Sequence, residues 1–285
     1  MVRLNREISM ERKKVTVPKI MRMKAEGSKI VMLSTYDYPF ARFADQAGVD
    51  IILVGDSLGM VVLGYDNTLP VTMDEMLIHV KAVTRAKPKA LVVADMPFMS
   101  FQESAEKAIA NAGRFIKEGG ADAVKIEGGK CVADIARAIS CAKIPVMGHV
   151  GLTPQSVMMF GGYRVQGRTE EGRRQLIEDA LAMEEAGCFS IVLEGIPWQV
   201  AQEITQKVKI PTIGIGAGPY CDGQVLVSHD LLGIYTDHLP KYVRCYANIG
   251  KTVLDAFKRF AEDVRSGDFP RLEESYSLED SKDNR

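Results

Sequence analysis

Eight apolar, β-branched runs recur along the chain, at 29–38, 50–57, 90–98, 123–129, 145–152, 190–195, 211–218 and 225–233. Their hydrophobicity is near-continuous rather than alternating. That is the pattern of strands buried on both faces, and hence of a parallel sheet. Between most of these runs the apolar spacing changes to a helical period. "TMDEMLIHVKAVTRA" (72–86) opens on Thr72 with Glu75 three residues later, a capping box. "SAEKAIANAGRFIKEGG" starts at Ser104 and stops at Gly119 and Gly120. "GRRQLIEDALAMEEAG" spaces Leu176, Ile177, Ala180, Leu181 and Met183 on one side and stops at Gly187. Three strands are entered through "AGVD", "GGAD" and "AGCF", one Gly-containing turn used repeatedly.

Eight strand–helix alternations in about 230 residues predict an α/β fold, a (β/α)8 TIM barrel. A doubly wound open sheet is the alternative, because periodicity does not reveal strand order. The barrel is expected over residues 29–267, with the amphipathic segment 246–267 as its last outer helix. Residues 1–28 form an N-terminal extension in which "VPKIMRMKAEG" reads as a helix. Residues 268–285 are a polar tail.

Composition narrows the partners. Lys plus Arg is 36 and Asp plus Glu is 37, a net charge of −1. No basic excess points to nucleic acid, so small-molecule partners are expected. No apolar run reaches the roughly 18 residues of a spanning helix, and the charged N-terminus lacks the apolar stretch of a secretory signal. The five cysteines are scattered, with no C-x-x-C pair. They read as packing residues with reduced thiols, which excludes a disulfide framework or a zinc site and implies a cytoplasmic protein.

Candidate chemistry lies where strands end, the place a barrel puts its active site. Asp37 follows the first strand. Asp56, Asp95, Glu127 and Glu194 end the second, third, fourth and sixth. Each acid alone is equally compatible with capping a helix. Consecutive barrel strands are about 4.8 Å apart, so Asp56, Asp95 and Glu127 would crowd into one corner and repel one another. A hard divalent cation resolves that, and an all-oxygen set favours Mg2+. In "DAVKIEGG" (122–129), Lys125 lies two residues before Glu127 and so on the same face. It serves either as an ion-pair partner or as a fixed charge for an anionic substrate or enolate. His149, at the end of the fifth strand, is compatible with a proton carrier, an anion donor or a satisfied core histidine. His79, His229 and His238 carry weaker signals. "GIGAG" (214–218) reads as a tight turn or a ligand contact, "FGGYRVQGR" (160–168) as a lid, an interface segment or a surface loop, and Trp198 as a packing residue.

The motifs "VGDSLGM", "LPVTMDEM", "ADMPFMS", "VKIEGG", "GHVGLTPQS", "GGYRVQGR", "LEGIP", "IGIGAG" and "DGQVLV" together resemble the ketopantoate hydroxymethyltransferase family from about residue 14 to about residue 270. That family belongs to the phosphoenolpyruvate mutase/isocitrate lyase type of barrel. The resemblance implies Mg2+-assisted enolisation of 3-methyl-2-oxobutanoate. Aldol-type transfer of a hydroxymethyl group from 5,10-methylenetetrahydrofolate would follow, giving 2-dehydropantoate for pantothenate synthesis. It implies Asp56 and Asp95 as metal ligands that also meet substrate, with Glu127 joining directly or through water. It implies Ser57 and His149 near the substrate carboxylate, Lys125 as substrate-binding and catalytic lysine, and Glu194 as catalytic base. A homodecamer is also implied. A 2-oxo-acid lyase or mutase of the same barrel type is the second reading, but its mobile-loop cysteine is matched only by Cys131. A catalytically dead barrel is the third; it predicts eroded strand-end acids, which this chain does not show.

Overall fold

The computed structural model describes residues 12–235 and 239–277. All eight predicted strands form, each shorter than its apolar run: β1 Ile30–Ser34, β2 Ile51–Val54, β3 Leu91–Asp95, β4 Ala123–Glu127, β5 Val146–Gly151, β6 Ser190–Glu194, β7 Thr212–Ile215 and β8 Gly223–Val227. The runs overshoot because their last residues belong to the loops. The eighth differs most: the strand starts two residues before the expected run, and Ser228–Leu231 turns helical. All neighbours pair in parallel, and β1 pairs with β8 over Ile30↔Gly223 to Ser34↔Val227. That pairing closes the barrel and excludes the open sheet.

The helices are α1 Val17–Ala25, α2 Tyr38–Gln46, α3 Leu58–Val61, α4 Met73–Arg85, α5 Ala105–Lys117 and α6 Ala133–Cys141, then α7 Val157–Phe160, α8 Glu170–Glu185, α9 Trp198–Lys207, α10 Ser228–Leu231 and α11 Ile249–Ser266. The Thr72–Glu75 capping box is present at α4, and Ser104 caps α5. Helix α8 starts earlier than expected because Thr169 caps it by accepting from Gly172 N–H. Leu176, Ala180 and Met183 are buried as predicted, but Leu181 is exposed, so the apolar stripe is narrower than the sequence spacing implied.

Two apolar layers follow from the period of two along each strand. Val92, Ala94, Val124, Ile126, Ile191 and Leu193 pack outward with the helices. Leu91, Val93, Ala123, Met147 and Val192 fill the barrel interior, which Ile20 and Met23 of α1 join. Cys188 and Cys221 are buried packing residues, and burial pushes their thiols up to about 12 and about 11. Cys131, Cys141 and Cys245 are exposed and free, which corrects the expectation that all five pack.

The described residues form two compact units, 12–228 with Lys241–Val243, and 229–235 with 239–240 and 244–277. Helix α11 lies in the second, and none of its residues is buried. His238, residues 1–11 and residues 278–285 lie outside the described residues.

Candidate active site

The inward-facing rows of the strands run from the apolar interior directly into charge. Leu91 and Val93 lead to Asp95, Ala123 leads to Lys125 and Glu127, Met147 leads to His149, and Val192 leads to Glu194. Register aligns these rows across the barrel: Asp95 pairs with Lys125, Glu127 with His149, and Gly151 with Glu194. The alternation that buries Ala123 therefore carries Lys125 and Glu127 to the mouth. Asp56 reaches the same place from the turn two residues beyond β2.

Asp56, Asp95 and Glu127 are all buried, and one oxygen of each lies within 4.8 Å of the others. Lys125 Nζ stands 2.9 Å from Asp95 Oδ1 and 3.7 Å from Glu127 Oε1. The Asp56 backbone N–H donates to Asp95 Oδ2 at 3.3 Å. Burial, then repulsion from Asp95 and Glu127, raises the Asp56 carboxyl well above its ordinary range. Burial also raises Asp95, although Lys125 opposes it. Burial opposes ionisation of Glu127 too, but Lys125 and His149 outweigh it and hold its pKa down. Lys125 is raised: burial works against its charge, and Asp95, Glu127 and Asp56 outweigh burial.

His149 bridges this cluster to Glu194. Its Nδ1 is 3.4 Å from Glu127 Oε1 and its Nε2 is 3.2 Å from Glu194 Oε2. Burial and Lys125 disfavour its protonation, but the two carboxylates prevail and raise its pKa to about 9. Lys125 Nζ also lies 3.2 Å from its Nδ1. This buried histidine thus has charged rather than apolar neighbours at both ring nitrogens.

The cluster fits a hard divalent ion. Four acids (Asp56, Asp95, Glu127 and Glu194) face two basic groups (Lys125 and His149), and Asp56 and Asp95 stay raised despite the lysine. Asp95 Oδ1 is buried with no hydrogen bond of good geometry, despite the nearby lysine. The donors are all oxygen, the preference of Mg2+.

Ser57 lies beside Asp56, and its Oγ is 2.8 Å from the hydroxyl of the fully buried Tyr36. His79 has a structural task, with Nδ1 2.7 Å from the Tyr36 carbonyl oxygen. Asp37 leaves the acidic set: it caps α2 by accepting from Phe40 N–H at 2.8 Å. The glycines after Glu127 serve close packing, since a Cβ at Gly129 would lie 2.1 Å from the Asp179 carboxyl. In "GIGAG", a Cβ at Gly216 would meet Tyr242 at 2.6 Å, which supports the tight-turn reading. Segment 160–168 is tied down by Gln166 N–H donating to the Gly195 carbonyl at 2.9 Å. Trp198 stacks obliquely on Tyr220 with ring centres 5.3 Å apart, yet stays half-exposed.

Sequence reasoning missed Tyr36 and Gln155. Gln155 donates through its side chain to Asp56 and through its backbone to Glu127. Neither residue carries charge, and neither stands out by spacing; both acquire a role only by contact.

The ketopantoate hydroxymethyltransferase family matches residues 14–272. A relative from Pelobacter propionicus, named 3-methyl-2-oxobutanoate hydroxymethyltransferase, is 59% identical over 266 residues, covering 93% of this chain and 98% of its own. One from Trichlorobacter lovleyi with the same name is 58% identical, covering 93% of this chain and all of its own. Among solved structures, a phosphonopyruvate hydrolase complexed with oxalate and Mg2+ superposes with a TM-score of 0.59 at 14% identity, covering 91% of this chain and 93% of that one. A 2,3-dimethylmalate lyase of the PEP mutase/isocitrate lyase superfamily gives 0.58 at 16% identity, with 92% of each chain covered. These structures share the barrel type, while the sequence relatives carry the assignment: the chain belongs to the ketopantoate hydroxymethyltransferase family.

Proposed function

We propose that this protein transfers a hydroxymethyl group from 5,10-methylenetetrahydrofolate to 3-methyl-2-oxobutanoate, giving 2-dehydropantoate for pantothenate synthesis in the cytoplasm. The observation that carries the reading is the convergence of Asp56, Asp95 and Glu127 around Lys125, with Glu194 joined to them through His149. Asp56 and Asp95 would hold Mg2+, with Glu127 direct or through water. When bound, the ion supplies a Lewis acid that polarises the oxo group.

The chain's own residues do the rest. Ser57, held by Tyr36, and His149 receive the substrate carboxylate. Glu194 takes the proton from C3. Lys125 sets a fixed positive charge near the oxygen that becomes negative, where preorganised charge contributes most. The enolate then forms a carbon–carbon bond to the one-carbon unit; that unit's two bonds to the folate nitrogens break, water supplies the hydroxyl oxygen, and tetrahydrofolate leaves.

The test is direct. Purified protein supplied with the oxo acid and the folate should form 2-dehydropantoate only with Mg2+. Carbon–carbon cleavage of a 2-oxo acid without hydroxymethyl transfer would favour the lyase reading instead. Asp95→Ala should weaken Mg2+-dependent substrate binding by about 10- to 100-fold or more. A normal Mg2+ titration would remove Asp95 from the set.

The reading includes a homo-oligomer, a decamer by family resemblance. Support comes from α11, whose Val253, Phe257, Phe260 and Val264 form an exposed stripe at spacings of four, three and four. Phe257→Asp should release smaller particles in analytical ultracentrifugation; an unchanged mass would take α11 out of the interface.

A further inference from the structure

Asp56 and Glu127 come from different parts of the barrel rim, and one neutral residue bonds both. Gln155 is the middle residue of a 3-10 turn, Pro154–Ser156, that follows β5. Its backbone N–H donates to Glu127 Oε2 at 3.0 Å. Its side-chain Nε2 donates to Asp56 Oδ2 and to the Met96 carbonyl oxygen, each at 2.9 Å. Its Oε1 accepts from Gln102 Nε2 at 3.2 Å. The side chain is buried, with both donors and its acceptor engaged.

The amide has one workable orientation. Reversed, its oxygen would face a carboxylate and a carbonyl, both acceptors. Gln102 holds the working orientation. Pro154 opens the turn, and N–H groups of a first turn have no partner inside it. That leaves the Gln155 N–H for Glu127. Thr153 Oγ1 meets Ser156 Oγ at 2.9 Å and braces the turn.

A neutral donor does here what a cation does not. It limits the rotation of two carboxylates without cancelling their charge, and that charge is what draws a divalent ion. A lysine in the same place would add a positive charge to the site and compete with the ion for the acids.

We propose that Gln155 is the positioning residue of the cation site, setting the carboxylates of Asp56 and Glu127 in the orientation that receives a divalent ion, with Gln102 locking its amide. The proposal rests on the reading of these acids as a cation site. It is tested on the full chain with Mn2+ as probe, by calorimetric titration without substrate and by the rise in Tm on adding Mn2+. Gln155→Met keeps the bulk and removes the amide; its Kd for Mn2+ should rise about tenfold or more, and its Mn2+-dependent gain in Tm should shrink. Hydroxymethyl transfer at saturating Mn2+ should recover toward wild type, because all three acids remain. A purely structural role would lower Tm and leave the Kd alone. Gln102→Leu should shift the Kd in the same direction by less. If Gln155→Met does not fold, Gln155→Asn, which withdraws the amide by one methylene, and Gln102→Leu decide the matter. Unchanged Mn2+ affinity in the folded variants, with wild-type protein binding normally, overturns the proposal and leaves the cation reading intact. No Mn2+ binding by the wild type defeats the cation reading itself.

Discussion

Glu194→Gln should abolish exchange of the C3 proton of 3-methyl-2-oxobutanoate into heavy water while leaving Mg2+-dependent binding of the oxo acid nearly intact. Glu194 ends β6 and stands outside the trio of clustered acids, so its amide should not disturb the cation site. Its Oε2 faces His149 Nε2 at 3.2 Å, and its side chain keeps 13% exposure, so it is accessible from the mouth. Glutamine preserves the shape and removes the ability to take a proton. Positioned general bases contribute about 10²- to 10⁴-fold, which sets the size of the expected loss. Exchange needs no folate, so the assay isolates enolisation from transfer. Undiminished exchange would assign the base elsewhere.

Lys125→Met should destabilise the metal-free protein by about 3–5 kcal/mol, the cost of leaving buried charge without its partner. Lys125 is the cation that Asp95 and Glu127 share, and it also draws down Asp56. Without it, Asp56 and Asp95 rise further and Glu127 loses the main charge that holds it down. An acid whose folded pKa is raised costs stability above its unfolded pKa, and the cost shrinks as pH falls through the folded value. The deficit should therefore be larger at neutral pH than in acid. Mg2+ should restore more Tm to the variant than it adds to wild type. Transfer should fall as well, since the fixed charge at the developing oxyanion is gone. Thermal melts at two pH values, with and without Mg2+, check this; a wild-type melt without metal at neutral pH would show that the acids do not depend on Lys125.

The site's charged members were readable because periodicity and charge coincide. A period of two, buried on one side by Ala123, forces Lys125 and Glu127 onto the interior row, and successive βα units bring Asp95 alongside. The same logic left Asp37 undecided between the acidic set and a helix cap. A strand-end acid and a helix cap share one sequence position, and only the bond to Phe40 N–H separates them. Leu181 failed for a related reason: helical spacing marks a stripe, while the neighbouring elements decide its width.

The residues alone determined the number of strands, the caps of α4 and α5, the inward row and the acids that gather at the mouth. All of these are local, set by side-chain period, backbone hydrogen-bonding needs and charge. The tertiary structure decided that β1 pairs with β8 to close the sheet, that His149 joins Glu127 to Glu194, and that Gln155 reaches Asp56. These are contacts between distant segments, and those of Gln155 are made by uncharged groups. Their strength depends on burial and direction, which exist only once the chain has folded.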